Sequence, residues 1–265
     1  MLAFAANSLL CRLALRDTGI DAASFTSVRI VSGAFVLALL ARSRAAAPLA
    51  AGSWISALAL FAYAAAFSFA YLSLSAATGA LLAFGAVQVT MIFGAWRRGE
   101  RLSLTQQAGL AVAMAGLLAL LWPGLSAPPL AAAVLMLLAG AAWGVYSLRG
   151  ARGHDPLRAT AGNFLRAVPI SLALSAAMLA SATPTTAGVA YAVASGALAS
   201  GVGYAIWYTA LRGLRATSAA SVQLSVPLLA ALGGVLWLGE PFSARLGLAS
   251  VAVLGGVAVV LNVRR

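Results

Sequence analysis

Charge is scarce in this sequence. Only 8% of its 265 residues are Asp, Glu, Lys or Arg, against roughly a quarter in a soluble domain. A chain this poor in charge cannot cover a water-facing surface. Hydrophobic residues make up 63% of it and its mean hydropathy is +0.99, so membrane insertion is the class that fits. Lysine is missing altogether: the 17 basic residues are all arginine, against 5 acids. A net charge of +12 would suggest nucleic acid in a soluble protein. Here the arginines sit mostly in short gaps between apolar runs, so membrane topology explains them and no nucleic-acid partner is expected. With one cysteine, Cys11, and one histidine, His154, no disulfide framework or metal cluster can be built. Cys11 reads as a small packing residue of an apolar helix and His154 as a solvated residue of the loop RGARGHDPLR. No cofactor is implied. A cleavable signal peptide is not evident, because a basic n-region and a clear cleavage site are both missing.

What is present is a succession of apolar runs. They predict an all-α membrane protein with spans near 1–15, 24–41, 53–73, 77–96, 104–122, 129–148, 158–180, 187–210, 216–238 and 243–262. The gaps carry turn formers, as in WPGLSAPP, SATPTTA and GEPFSA. No gap is long enough for a soluble domain. The first run is short for a full span of about 20 residues.

Arginine sets the orientation. With the N-terminus in the cytoplasm, twelve arginines fall on the cytoplasmic side and two, Arg16 and Arg245, on the other. Arg12, Arg29 and Arg166 fall within spans. Both termini are therefore expected in the cytoplasm of a multi-pass bacterial inner-membrane protein, with the lipid bilayer as its main partner. No oligomer is required.

The sequence also repeats. GERLS at 99–103 returns as GEPFS at 239–243, each followed by a glycine-rich apolar helix. YLSL at 71–74 pairs with YTAL at 208–211, and VQVT at 87–90 with VQLS at 222–225. The chain thus reads as two five-helix halves, 1–123 and 124–265. Because five is odd, the second half enters the membrane from the opposite side. The doubled unit, the GE boxes and the Val226-Pro227 pair resemble the drug/metabolite transporter superfamily, EamA type. TGALLAFGAVQVTMIFGAW at 78–96 resembles the branch of the YddG aromatic amino-acid exporters. The resemblance covers essentially the whole chain. It implies ten helices in two inverted repeats around a central cavity, and outward movement of amino acids and related metabolites. The fourth span departs from the ninth in lacking a proline to match Pro227.

An intramembrane polar residue is costly, so each is a candidate. Gln88 and Gln223 lie inside apolar spans at similar places in the two halves. Their amides offer donors and an acceptor to a zwitterion, or an interhelical hydrogen bond. Tyr204, Trp207 and Tyr208 share one helical face by their i, i+3, i+4 spacing, as do Trp143 and Tyr146. Such faces can line a cavity or form an interfacial belt; Trp54, Trp122 and Trp237, at span ends, are assigned to the belt. Asn7, Tyr71 and Asn163 complete the substrate-binding candidates. Arg29 and Arg166 lie about two turns inside their helices. They are read as gating or structural residues that snorkel to the near interface, with a substrate carboxylate as the alternative. Pro227 is a candidate hinge. Glu100 and Glu240 are read as structural, each capping the helix that follows it.

The remaining absence concerns mechanism. All five acids, Asp17, Asp21, Glu100, Asp155 and Glu240, lie in or beside loops. A proton-coupled carrier of cations normally needs a membrane carboxylate. The expected mechanism is therefore alternating access without a central carboxylate relay. The other readings are a broader xenobiotic or metabolite carrier and a non-transport membrane scaffold. Catalysis is not expected.

Overall fold

Runs of alanine and leucine give helix at every apolar segment. The computed structural model describes residues 1–42, 51–97, 103–122, 127–150, 155–211 and 222–262. The helices are α1 (Leu2–Asp17), α2 (Ala22–Ala41), α3 (Trp54–Tyr71), α4 (Ala76–Trp96), α5 (Leu104–Leu121), α6 (Leu130–Gly150) and α7 (Pro156–Ala177). After a short turn of 3-10 helix, Leu179–Ser181, come α8 (Thr186–Val193), a π-helical stretch (Ala194–Val202) and α9 (Gly203–Leu211). The last two are α10 (Ser225–Leu238) and α11 (Ala244–Asn262). No strand occurs among the described residues.

Side chains just outside the apolar runs start these helices by accepting orphan backbone N–H groups. Asp21 Oδ1 accepts from Ser24 N at 2.8 Å, and Ser53 Oγ from Ser56 N at 3.2 Å. Ser103 and Gln106 form a reciprocal capping box at α5. Ser243 Oγ accepts from Leu246 N at 3.1 Å at α11, so the serine of each GE-x-x-S box caps the helix after it. At the other end of α10, Gly239 takes φ +62°, a left-handed conformation that glycine adopts without steric cost.

Among the described residues, seven helical segments are long and apolar enough to cross a membrane: α2 to α6, the rod from Thr186 to Trp207, and Ala244–Leu261. Over their described residues, three predicted spans do not reach that standard. The 16 residues of α1 and the 14 of α10 are short, and α7 carries Arg158, Asn163 and Arg166 in its first half. Pro227 lies one turn into α10, and the helix is interrupted at Leu224. A proline there supplies no N–H to the Gln223 carbonyl four residues back.

The principal packed pairs are α5 with α11, α3 with α6, α4 with α6 and α2 with α7. Small residues permit this. A Cβ on Gly109 would stand 2.6 Å from the Gly256 carbonyl oxygen, so α5 and α11 meet backbone to backbone. Outward faces are apolar: Phe35, Leu118, Leu236, Leu248 and Val251 are all exposed, as lipid-facing residues are.

Candidate functional site

The mid-sections of α1, α2, α3, α6, the π stretch and α9 converge on one polar and aromatic cluster. At its heart is Arg29 of α2, only 2% exposed. Its guanidinium lies over two rings of α3, with Cζ 5.1 Å from the Tyr63 centroid and 5.3 Å from that of Phe67. Nη2 donates to Tyr63 Oη at 3.1 Å and Nε to Ser200 Oγ at 3.4 Å, while Nη1 has no partner. Tyr63 Oη also accepts from Asn7 Nδ2 at 3.2 Å, and Ser195 Oγ donates to Asn7 Oδ1 at 2.5 Å. Both serines come from the π stretch. A π-helix shifts the register of its side chains, and such stretches recur at functional sites; here one aims Ser195 and Ser200 at Asn7 and Arg29.

The aromatic part surrounds Trp143 of α6. Its ring stacks on Tyr146 at 5.4 Å and lies 5.0 Å from both Tyr63 and Tyr204. Phe4 of α1 meets Trp143, Tyr204 and Trp207 edge-on at 5.7 to 6.0 Å. Trp143 is 5% exposed and Trp207 9%, against 77% for Trp237. The belt assignment thus suits Trp54, Trp122 and Trp237, which are all exposed, and not the buried Trp143 and Trp207. Phe4, Tyr63, Phe67, Phe84 and Trp143 help to line a small cavity of about 20 Å³. That is room for one water molecule; pockets for drug-sized ligands have roughly 300 Å³ or more. The centre is closed around its own rings.

Polar contacts tie the helices together toward both ends. At one end, Arg12 Nε and Glu240 Oε1 form an ion pair at 3.0 Å. Arg12 Nη1 also donates to the Tyr71 carbonyl at 2.9 Å, and Glu240 Oε2 accepts from Ala76 N at 2.7 Å. Tyr71 Oη donates to the Ala76 carbonyl at 3.2 Å. Glu240 therefore caps α4, 164 residues away, and not the helix that follows it. Nearby, Arg16 holds the Asp17 carboxyl below its usual range. Burial pushes the Asp21 carboxyl up, but the amides of Ser24 and Thr183 outweigh this and hold it below the usual carboxylate range.

The other end lies about 27 Å away along α3. There Asn163 Oδ1 accepts from Ser53 N at 2.8 Å and Nδ2 donates to Tyr146 Oη at 3.4 Å. Arg166 Nη1 donates to the Ala51 carbonyl at 2.7 Å and to Gly162 at 3.0 Å, and Arg149 Nε donates to Ser56 Oγ at 3.0 Å. These contacts pin the turn before α3 onto α6 and α7.

Residues 130–262 match the EamA-like transporter family. The chain is also 59% identical, over all of its own length and 92% of the relative's, to the uncharacterized protein PA1977 of Pseudomonas aeruginosa. The chain belongs to the EamA-like transporter family. It is accordingly a multi-pass membrane protein of a family of small-molecule transporters, not of enzymes. A solved crystal structure superposes with a TM-score of 0.69 over 98% of this chain and 95% of the other, at 22% identity; this likeness shows the fold alone.

In this EamA-family chain the candidates named from sequence divide by place. Asn7, Trp143, Tyr146, Tyr204 and Trp207 meet at the centre. Tyr71 lies at the Glu240 end, and Asn163 and Arg166 at the opposite end. Arg29 is wholly buried rather than reaching an interface. Gln88 and Gln223 are buried, with Gln88 Nε2 and Gln223 Oε1 lacking partners. Glu100 lies outside the described residues, as does the side chain of Tyr208. Missing from the sequence-based set are Phe4, Phe67, Ser195 and Ser200. The serines carry no pattern that separates them from packing serines in an Ala/Gly-rich helix.

Proposed function

We propose that this protein is an inner-membrane exporter of amino acids, aromatic ones among them, and of related small metabolites. It works by alternating access, without a central carboxylate relay. The observation that carries this reading is a buried centre of aromatic rings, Asn7 and Arg29, sealed at opposite ends by separate polar closures. Opening one closure at a time exposes the centre to one side at a time, which is what alternating access requires.

Ten spans in two inverted halves, 1–123 and 124–265, with both termini in the cytoplasm, complete the reading. A pseudo-two-fold axis pairs each helix with the one five places on. The packing of α2 on α7, α4 on α10 and α5 on α11 supports that arrangement, since these are spans 2 and 7, 4 and 9, and 5 and 10. The matched caps of Ser103 and Ser243 support it too. In this orientation Glu240 closes the periplasmic end and Asn163 the cytoplasmic end.

Counterflow into proteoliposomes across a panel of labelled amino acids tests the proposal. Aromatic and large apolar amino acids should exchange, and an imposed pH gradient should leave the rate unchanged. Absence of flux for every amino acid, with flux of other metabolites, would leave a transporter of another substrate class. A strict requirement for the gradient would remove the relay-free mechanism.

A further inference from the structure

We propose that Arg29 is a carboxylate anchor, and that the substrate group this protein must recognise is a carboxylate and not an amine. The proposal rests on the transport reading above and narrows its substrate class to small monocarboxylates with an apolar or aromatic body. The ammonium group of an amino acid is then dispensable, and deaminated aryl carboxylates are carried as well.

The first argument is charge. Arg29 sits about 10 Å inside α2 and is 2% exposed, yet its guanidinium meets two rings and two hydroxyls. Among the described residues it has no carboxylate partner. A buried guanidinium without a counter-ion is costly, and cation–π contact offsets only part of that cost. The second argument is donor count. Nη1 of Arg29 has no acceptor. Tyr63 Oη accepts twice, from Arg29 and Asn7, and no described residue accepts its own proton. Asn7 Oδ1 is already taken by Ser195. Ser8 Oγ on the cavity wall also lacks a partner and can donate as well as accept, so the cluster offers more free donors than free acceptors, as an anion site does and an ammonium site does not.

The third argument separates carboxylate from phosphate. A dianion calls for several cations, but the other two arginines within spans are only partly buried and are engaged, Arg12 by Glu240 and Arg166 by the carbonyls of Ala51 and Gly162. One guanidinium beside Tyr63, Phe67 and Trp143 suits a monoanion attached to a ring or alkyl group. The 20 Å³ cavity is lined by the same two rings that Arg29 touches, so opening the bundle around Tyr63 and Phe67 exposes the guanidinium to an entering carboxylate.

The test compares phenylalanine, 3-phenylpropanoate and 2-phenylethylamine on the purified full-length protein. In wild-type proteoliposomes the first two should compete within a few-fold of each other, and the amine at least tenfold more weakly. Arg29→Gln should raise the KM for both carboxylates at least tenfold and leave the amine unchanged, while Arg29→Lys should keep most of the preference. Equal competition by amine and carboxylate in wild type, or an unchanged preference in Arg29→Gln, would overturn the proposal with transport intact. If wild type carried none of the three, the transport reading would fail on these substrates. Ligand-induced thermal stabilisation in detergent would then decide the anchor separately: a rise in Tm with 3-phenylpropanoate but not with the amine supports it, and the same response to both refutes it. The wild-type series alone decides the matter should Arg29→Gln not fold.

Discussion

At one end of the bundle an ion pair, Arg12 with Glu240, joins α1 to the turn after α10 and reaches the first amide of α4. At the other end, Asn163 and Arg166 hold the turn before α3 through neutral backbone groups. The difference bears on how each end opens. Separating the first closure parts two opposite charges at the edge of a low-dielectric medium and uncaps a helix. Separating the second leaves an amide, a carbonyl and an arginine already near water. On the proposed alternating-access reading, the Glu240 end is thus the harder to open and the Asn163 end opens first. In the proposed orientation that end faces the cytoplasm, where an exporter loads.

The strongest way to break this comparison is Glu240→Ala. Removing one partner of a largely buried pair leaves Arg12 uncompensated, at a cost of about 3–5 kcal/mol, and α4 also loses its cap. A large fall in Tm in detergent should follow, with labelling of cysteines placed at Leu72 or Leu238 much increased. Replacing Arg12 and Glu240 together by leucine should cost less than the sum of the two single changes, by about 1–3 kcal/mol. Strict additivity in that cycle would show that the pair is not the closure.

Asn163→Ala should cost about 1–3 kcal/mol, the penalty for leaving the Ser53 amide without its buried acceptor. Its more telling effect is kinetic: a loosened Asn163 end should speed substrate entry from that side and leave entry from the other side unchanged. Flux measured in both directions checks this. Arg149→Met removes a partly exposed donor to Ser56 and should cost under about 1 kcal/mol. A loss as large as that of Glu240→Ala would reverse the ranking of the two ends.

The helices were largely legible in the sequence because an apolar run in lipid has one way to satisfy its backbone; most predicted ends lie within a few residues of those observed. The exposure of Trp54, Trp122 and Trp237 was legible from their places at span ends. Glu240 was legible as structural but not by partner. The GE-x-x-S pattern points to the next helix, and there Ser243 does the capping, while the carboxylate reaches across the bundle to α4. No local pattern encodes a contact over 164 residues. The π stretch was not legible either, since ASGALASGV reads equally well as ordinary helix. Nor was the burial of Arg29, which depends on what α3 and the π stretch bring to it. Long-range geometry thus decided the centre, and local chemistry decided the caps.

The smallest expected effect lies beside the Glu240 end, at Asp21. Its carboxyl accepts from Ser24 N and Thr183 N, each at 2.8 Å, and so ties α2 to the turn before α8. Because these bonds hold the folded value below the ordinary 3.8, the unfolded chain binds the proton more readily. Asp21 then contributes stability that is complete above 3.8 and is lost as the pH falls through the lower folded value. Asparagine caps a helix about as well as aspartate, but its Nδ2 cannot accept from the exposed Thr183 amide, which turns to water instead, so Asp21→Asn should cost about 0.5 kcal/mol near neutral pH. It should also flatten the fall in Tm below about pH 4. A Tm difference from wild type that stays constant between pH 7 and pH 3 would show that the Asp21 charge does not help to hold this end together.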